Sequence, residues 1–329
     1  MRTKALYWLI KNNDLQGVRD KLDRGGYINV PVYKGYGPLY WATVYGHADM
    51  VELLLENGAD PNVNQPDEFF ILHEAIMFNM TEIVALLLRY GADIHARCQY
   101  GLTALMYAAI MDDAIVQMIL QGGADPNACD FTGESPLYTA ACYGCTDNVR
   151  LLIEHGADVN IRTNKNETPL HISVHHNYGE ITKILLENGA SVHARSNTGR
   201  TPLHRGASFD PFMDNEQWRG MGEAIPRSVF TNESLLAVLD SGANIRSRTR
   251  RGQTPLGIAM RFRNYDVAKA IAARLIQEAW RKHRRRMAAG VIQTAWIRAF
   301  WNPRFRVCKK RLQRNYEEIS ADIVKRRRV

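Results

Sequence analysis

A Gly-Ala pair returns along this chain at Gly58-Ala59, Gly91-Ala92, Gly123-Ala124, Gly156-Ala157, Gly189-Ala190 and Gly242-Ala243, at intervals of 33, 32, 33, 33 and 53 residues. So constant an interval marks a chain assembled from one supersecondary unit stacked on copies of itself, which excludes a single closed core. The unit is clearest from Asp130 to Asn160. Ser135-Pro136 reads as a helix start, the hydroxyl placed to accept from an orphan amide and the proline standing where its missing N–H costs nothing. Leu137, Ala140 and Ala141 give a short helix with one small, closely approachable face. Gly144 marks a turn. Val149, Leu151, Leu152 and Ile153 form the stripe of a second helix, which Gly156 ends in the left-handed conformation. Asp158 and Asn160 suit the tight turn that follows. Two helices this short leave apolar faces open unless the next copy covers them.

The start signature recurs as GPLYWA (Gly37 to Ala42), ILHEA (Ile71 to Ala75), TALMYAA (Thr103 to Ala109), SPLYTAA, TPLHIS (Thr168 to Ser173), TPLHRGA (Thr201 to Ala207) and TPLGIA (Thr254 to Ala259). This series resembles the ankyrin repeat family, whose hallmark is TPLH followed by GADVN at this period. The resemblance covers roughly residues 1 to 272. It implies an all-α ankyrin-repeat solenoid with short β-hairpin turns, about eight repeats long counting both ends.

Residues 1–30 read as a divergent N-terminal capping repeat, with Leu6, Leu9, Ile10, Leu15, Val18 and Leu22 as stripes ending at Gly25-Gly26. Lys4, Lys11, Arg19 and Lys21 keep its outer side polar, as an end repeat requires. Repeats follow over 31–272. Asp112-Asp113 stands where the inter-helix glycine is expected, at some loss of rigidity. The long interval places about 20 extra residues between the two helices of the seventh repeat, at about 209–232, where loop entropy makes an insertion cheap. A basic helical tail covers 273–329; Trp296, Ile297 and Phe300 extend its apolar face until Asn302-Pro303 breaks it, and a last helix is expected over Phe305 to Ile319.

The charge is divided along the chain. Residues 246–329 hold 24 Lys+Arg against 5 Asp+Glu, whereas the first 245 hold 18 against 29. No run approaches the ~18 apolar residues of a membrane helix, and Ala5 to Ile10 is too short for a secretory core. An odd, scattered set of five cysteines fits a reducing compartment. The expectation is a cytoplasmic protein with no membrane contact, nuclear import through Lys325 to Arg328 remaining open.

Catalysis finds no support. The sequence has no Gly-rich phosphate loop, no HExxH, no GxSxG and no grouping of carboxylates outside the repeat turns. Asp60, Asp93, Asp125 and Asp158 sit where a turn needs a side-chain acceptor. His73, His171 and His204 match the family's structural histidines, which the resemblance implies bond turn backbone between repeats. Cys142 and Cys145 form a CxxC, but four zinc ligands would have to be completed from His155, His175 or His176, so they are read as small helix residues. No cofactor and no metal are expected, and the chain is not read as an enzyme.

What remains is a surface. In the ankyrin family partners are bound by the hairpin tips and the exposed side of the first helix. Counting from each start puts Tyr33, Tyr36, Phe69, Tyr100 and Phe131 on tips and Tyr45, Met77, Phe78, Ile110, Met111 and Tyr143 on helix faces. Either these rings and thioethers line a concave groove for a protein partner of unknown identity, or several pack on neighbouring hairpins. The chain is expected to work as a monomer. In the tail, Ile276, Gln277, Arg281 and Arg286 match IQxxxRxxxxR and so resemble the motif that binds calmodulin-like proteins; Lys282 departs from it, and Ile292-Gln293 begins an incomplete second copy. The alternative is an end cap in which Trp280, Val291 and Trp296 pack on the last repeat. Arg281 to Arg286 and Lys325 to Arg328 would attract phosphates generically, without specific nucleic-acid recognition. The tail from Val291 is similar to tails of ankyrin-repeat proteins of large DNA viruses, which implies a host–virus interaction. Val307-Cys308-Lys309 resembles part of an F-box-type motif, which implies a ubiquitin-ligase substrate adaptor as a further alternative.

Overall fold

The computed structural model describes residues 2–25, 28–63, 70–208, 232–262 and 264–283, side chains at 2–4 and 279–283 excepted. The chain divides into two compact units, residues 1–268 and 269–329. Most of the 209–232 insertion, Phe69, Arg286, the second IQ-like copy, the Phe305 to Ile319 helix and Lys325 to Arg328 lie outside the described residues.

Helices come in pairs joined by short turns: α1 (Arg2–Lys11) with α2 (Leu15–Asp23), α3 (Pro38–Val44) with α4 (Ala48–Glu56), α5 (Ile71–Met77) with α6 (Thr81–Arg89), and α7 (Ala104–Ala108) with α8 (Asp113–Gln121). The series continues with α9 (Pro136–Tyr143) and α10 (Thr146–Glu154), α11 (Pro169–His175) and α12 (Gly179–Glu187), then α13 (Pro202–Ala207) and α14 (Glu233–Asp240), which the insertion separates, and α15 (Pro255–Arg261) and the longer α16 (Tyr265–His283). From α1 to α15 first helices pack on neighbouring first helices, and from α2 to α14 second helices pack on neighbouring second helices. Each repeat therefore buries its apolar side on its neighbours, as the period requires.

The core repeats with the sequence. Two residues after the cap comes a buried leucine, Leu39, Leu72, Leu105, Leu137, Leu170 or Leu203. Three residues further comes a small buried residue, Ala42, Ala75, Ala108, Ala140, Ser173 or Gly206. In the sixth repeat the apolar pair becomes polar: Thr182 donates to the Ser173 hydroxyl at 3.1 Å, and Ser173 donates to the Leu170 carbonyl. Both hydroxyls are fully buried, so pairing them meets the cost of burial.

Helix starts follow the caps. The Ser135 hydroxyl accepts from the Tyr138 amide at 3.2 Å and Thr254 accepts from Gly257. At Thr168 and Thr201 the backbone amide instead donates to Nδ1 of His171 and His204, at 3.1 and 3.2 Å. With Nδ1 accepting, Nε2 carries the proton and faces a carbonyl of the next repeat, Arg200 for His171 and Gln253 for His204, each at 3.2 Å. His171 and His204 thus tie a repeat to its successor, and burial holds them and His73 below the ordinary imidazole range, His73 and His171 at about 4.

One local expectation changes. Asp112 does not mark a weakened turn. The one-residue deletion behind the 32-residue interval removes the left-handed residue that Gly46, Asn79, Gly144 and Asn177 supply elsewhere, and Asp112 caps α8 by accepting from Ala114 at 3.1 Å. Asn148 of the next repeat donates to the Ala109 and Met111 carbonyls at the end of the shortened α7. The hairpin turns, for their part, contain isolated bridges, Tyr33 to Tyr36 and Arg97 to Thr103, and among the described residues no longer strand. Their arms are too short for a ladder, and side chains complete them: Asp130 accepts from the Thr132 and Glu134 amides.

The turns also lock to each other. Asn29, Asn62, Asn127 and Asn160 each donate to the carbonyl of the next repeat's closing glycine at 2.9–3.1 Å. Each also accepts an amide two residues beyond that glycine, at 2.7–2.9 Å.

Leu137 is fully buried, and Leu137→Ala is expected to cost ~2–5 kcal/mol in urea denaturation. Acid should loosen the stack. His73 and His171 are at about 4 folded against 6.5 ordinarily, so between those values the unfolded chain binds protons that the folded chain refuses. Stability is full above 6.5 and is lost as pH falls toward 4, by about 2 kcal/mol per histidine at pH 5. Urea midpoints should fall between neutrality and pH 5, and His73→Gln with His171→Gln should flatten that slope.

Candidate functional site

The residues picked out for a surface divide by environment. Met77, Phe78, Tyr100, Phe131, Tyr143 and Tyr33 are 37–70 % exposed, Phe131 the most. Met77 ends α5, Phe78 caps it, and Tyr143 ends α9. Tyr100 and Phe131 stand on successive tips. The Phe131 amide donates to the Tyr100 carbonyl at 3.4 Å, and its ring lies over Gly101, where an added Cβ would meet it at 2.7 Å. Gly101 holds φ +78°, so a side chain there would be both strained and in collision. Phe131 is thereby fixed from beneath while its other face stays open.

Tyr36, Tyr45 and Met111 are half-buried. Tyr36 stacks on Tyr40 with centroids 4.0 Å apart, and Tyr45 stacks on Trp41. The Tyr45 and Tyr7 hydroxyls are 2.7 Å apart, and burial together with this bond pushes Tyr45 up to about 12. Tyr33 stacks on Tyr7 at 4.5 Å and accepts the Trp41 indole N–H on its carbonyl. Around the first two repeats the aromatics thus join helices to tips, while Phe78, Tyr100, Phe131 and Tyr143 of the third to fifth repeats are exposed.

One regularity escaped the count from the start signatures. Eight residues after the caps of α3, α5, α7, α9, α11 and α15 stand Tyr45, Phe78, Met111, Tyr143, His176 and Phe262, and the same offset from Thr201 falls on Phe209, outside the described residues. His176 and Phe262 extend the same file. Phe262 is exposed, and His176 packs against Tyr178. A fixed offset applied to every repeat would have found both.

Among the described residues no group of three or more His, Cys, Asp or Glu could hold a metal ion. Cys142 Sγ lies 3.9 Å from His176 Nε2, and burial raises both the Cys142 and Cys145 thiols, opposite to what a metal ligand needs. In the tail region, Ile276 is half-buried and Gln277 exposed on α16, which also contains Arg281. No described helix is long and apolar enough to cross a membrane.

Models of ankyrin repeats match residues 34–68, 72–163 and 152–205, together more than half of the chain. The chain belongs to the ankyrin-repeat family. It is similar to the human ankyrin repeat and SOCS box protein 3, 45 % identical over 36 % of this chain and 23 % of that protein. It also resembles a putative ankyrin repeat protein of fowlpox virus, 32 % identical over 44 % of this chain and 19 % of that protein. The palmitoyltransferase AKR1 of Lachancea kluyveri is 33 % identical over 42 % of this chain and 19 % of that protein. The chain thus spans about a fifth of the length of the curated relatives it matches. Among solved structures, the ankyrin repeat domain of Bcl-3 aligns with a TM-score of 0.56 and 27 % identity, over 60 % of this chain and 92 % of that one. Ankyrin repeats indicate a protein–protein interaction scaffold.

Proposed function

We propose that this chain is a non-enzymatic scaffold that holds a protein partner across the tips and first-helix ends of its third to fifth repeats. The observation that carries this reading is the exposure of Met77, Phe78, Tyr100, Phe131 and Tyr143 on elements whose other sides are fully packed. Open apolar side chains in a row mark a binding surface, and aromatic and methionine side chains are the types enriched in the centres of such surfaces. The tips are locked in advance by backbone bonds between neighbours, such as Asn164 N–H to the Thr132 carbonyl at 2.8 Å. Little ordering is left to be done on binding, which favours affinity. In a narrower form the partner is a host protein, a reading that the similarity to the fowlpox protein supports.

Tyr100→Ala, Phe131→Ala and Tyr143→Ala combined should keep the urea midpoint close to that of the parent, since all three side chains are mostly exposed. Capture of specific partners from the cell of origin should fall by at least about tenfold. Undiminished capture by a folded triple variant overturns the reading.

A further inference from the structure

Charge changes abruptly along the tips. In the earlier repeats the closing turns carry Asp60, Asp93, Asp125 and Asp158; in the last two they carry Ser191 and Asn244. Residues 191–208 and 241–262 contain eight arginines and neither Asp, Glu nor Lys. Six of these, Arg195, Arg246, Arg248, Arg250, Arg251 and Arg261, are exposed. Neighbouring turns gather them: Arg195 Nη1 donates to the Arg248 carbonyl at 3.1 Å, Arg248 Nη1 donates to the Gly252 carbonyl at 3.0 Å, and the Arg250 amide donates to Thr198. Arg205 is the exception, paired with Glu167 at 3.2 Å in a largely buried bridge. Burial first, then the like charge of Arg205, with further contributions from Arg251 and Arg261, hold Arg200 below its usual basicity despite Glu167.

Guanidinium forks bind carboxylates with two parallel hydrogen bonds, which a lysine cannot do. Nucleic acid would ask for successive stacking rings beside the charges, and among the described residues Phe262 is the one exposed aromatic ring in these turns and their first helices. Phe262 also belongs to the file that contains Phe78 and Tyr143, so patch and aromatic face form one track. We propose that the arginine patch of the last two repeats binds an acidic, Asp/Glu-rich peptide segment of the partner protein. This rests on the protein-binding reading above and adds the chemistry of one end of the partner.

The test uses the full chain and a fluorescein-labelled oligoglutamate peptide, followed by anisotropy. Binding should weaken with salt, and Arg246→Glu, Arg250→Glu and Arg251→Glu combined should weaken it by about tenfold or more. The corresponding glutamine variant should lie between, which covers a reversal that fails to fold. Binding unchanged in both folded variants places the peptide elsewhere, the basic tail included, and overturns the proposal. So does displacement of the peptide by a single-stranded oligonucleotide at lower concentration than by unlabelled oligoglutamate. The two ideas fail separately: peptide binding should be indifferent to the Tyr100, Phe131 and Tyr143 substitutions, whose effect is read on partner capture.

Discussion

Where one first helix meets the next, the residue five positions after the cap has to be small. Ala42, Ala75, Ala108, Ala140, Ser173 and Gly206 occupy that place. At Gly206 an added methyl would lie 2.6 Å from Val174 of the preceding repeat and 3.2 Å from Leu235 of its own second helix. Close approach lets each short helix bury its leucine against neighbours on both sides, and no helix of this length would be stable without that burial. The repeat period, the caps and the buried histidines all serve to keep this approach at the same distance from one copy to the next.

A stack fixed this way leaves many side chains at its tips and helix ends outside the core, and these positions vary. Early in the array they are aromatic and knit the first two repeats together through Tyr7, Tyr33, Trp41 and Tyr45. In the middle they are aromatic and open. Near the end they are basic. The same backbone scaffold thus displays three chemistries in sequence, which suits a partner that lies along it.

How much of this could be read beforehand depended on whether neighbours decide a residue's fate. Ser135, Leu137, Gly144 and Gly156 had their roles legible because cap, core and left-handed turn are local demands on residue type. The exposure of Tyr45 was not, because it is set by Tyr7, 38 residues away, whose hydroxyl it meets. Asn127 and Asn160 looked like turn formers, and they are; their reach to the next repeat is invisible without the stack. Asp112 looked like a defect and is a cap, since the deletion that put it there also shortened the helix before it. His176 and Phe262 were readable by the period alone.

The asparagine clasps are not continuous. They join the first three repeats to one another, and the fourth to sixth likewise, but His95 and His193 occupy the asparagine position at the two junctions between. No described side chain there makes the double bond to the following turn. A pulling force or a mild denaturant would find these two seams first, the places where one repeat holds the next with fewer turn-to-turn bonds.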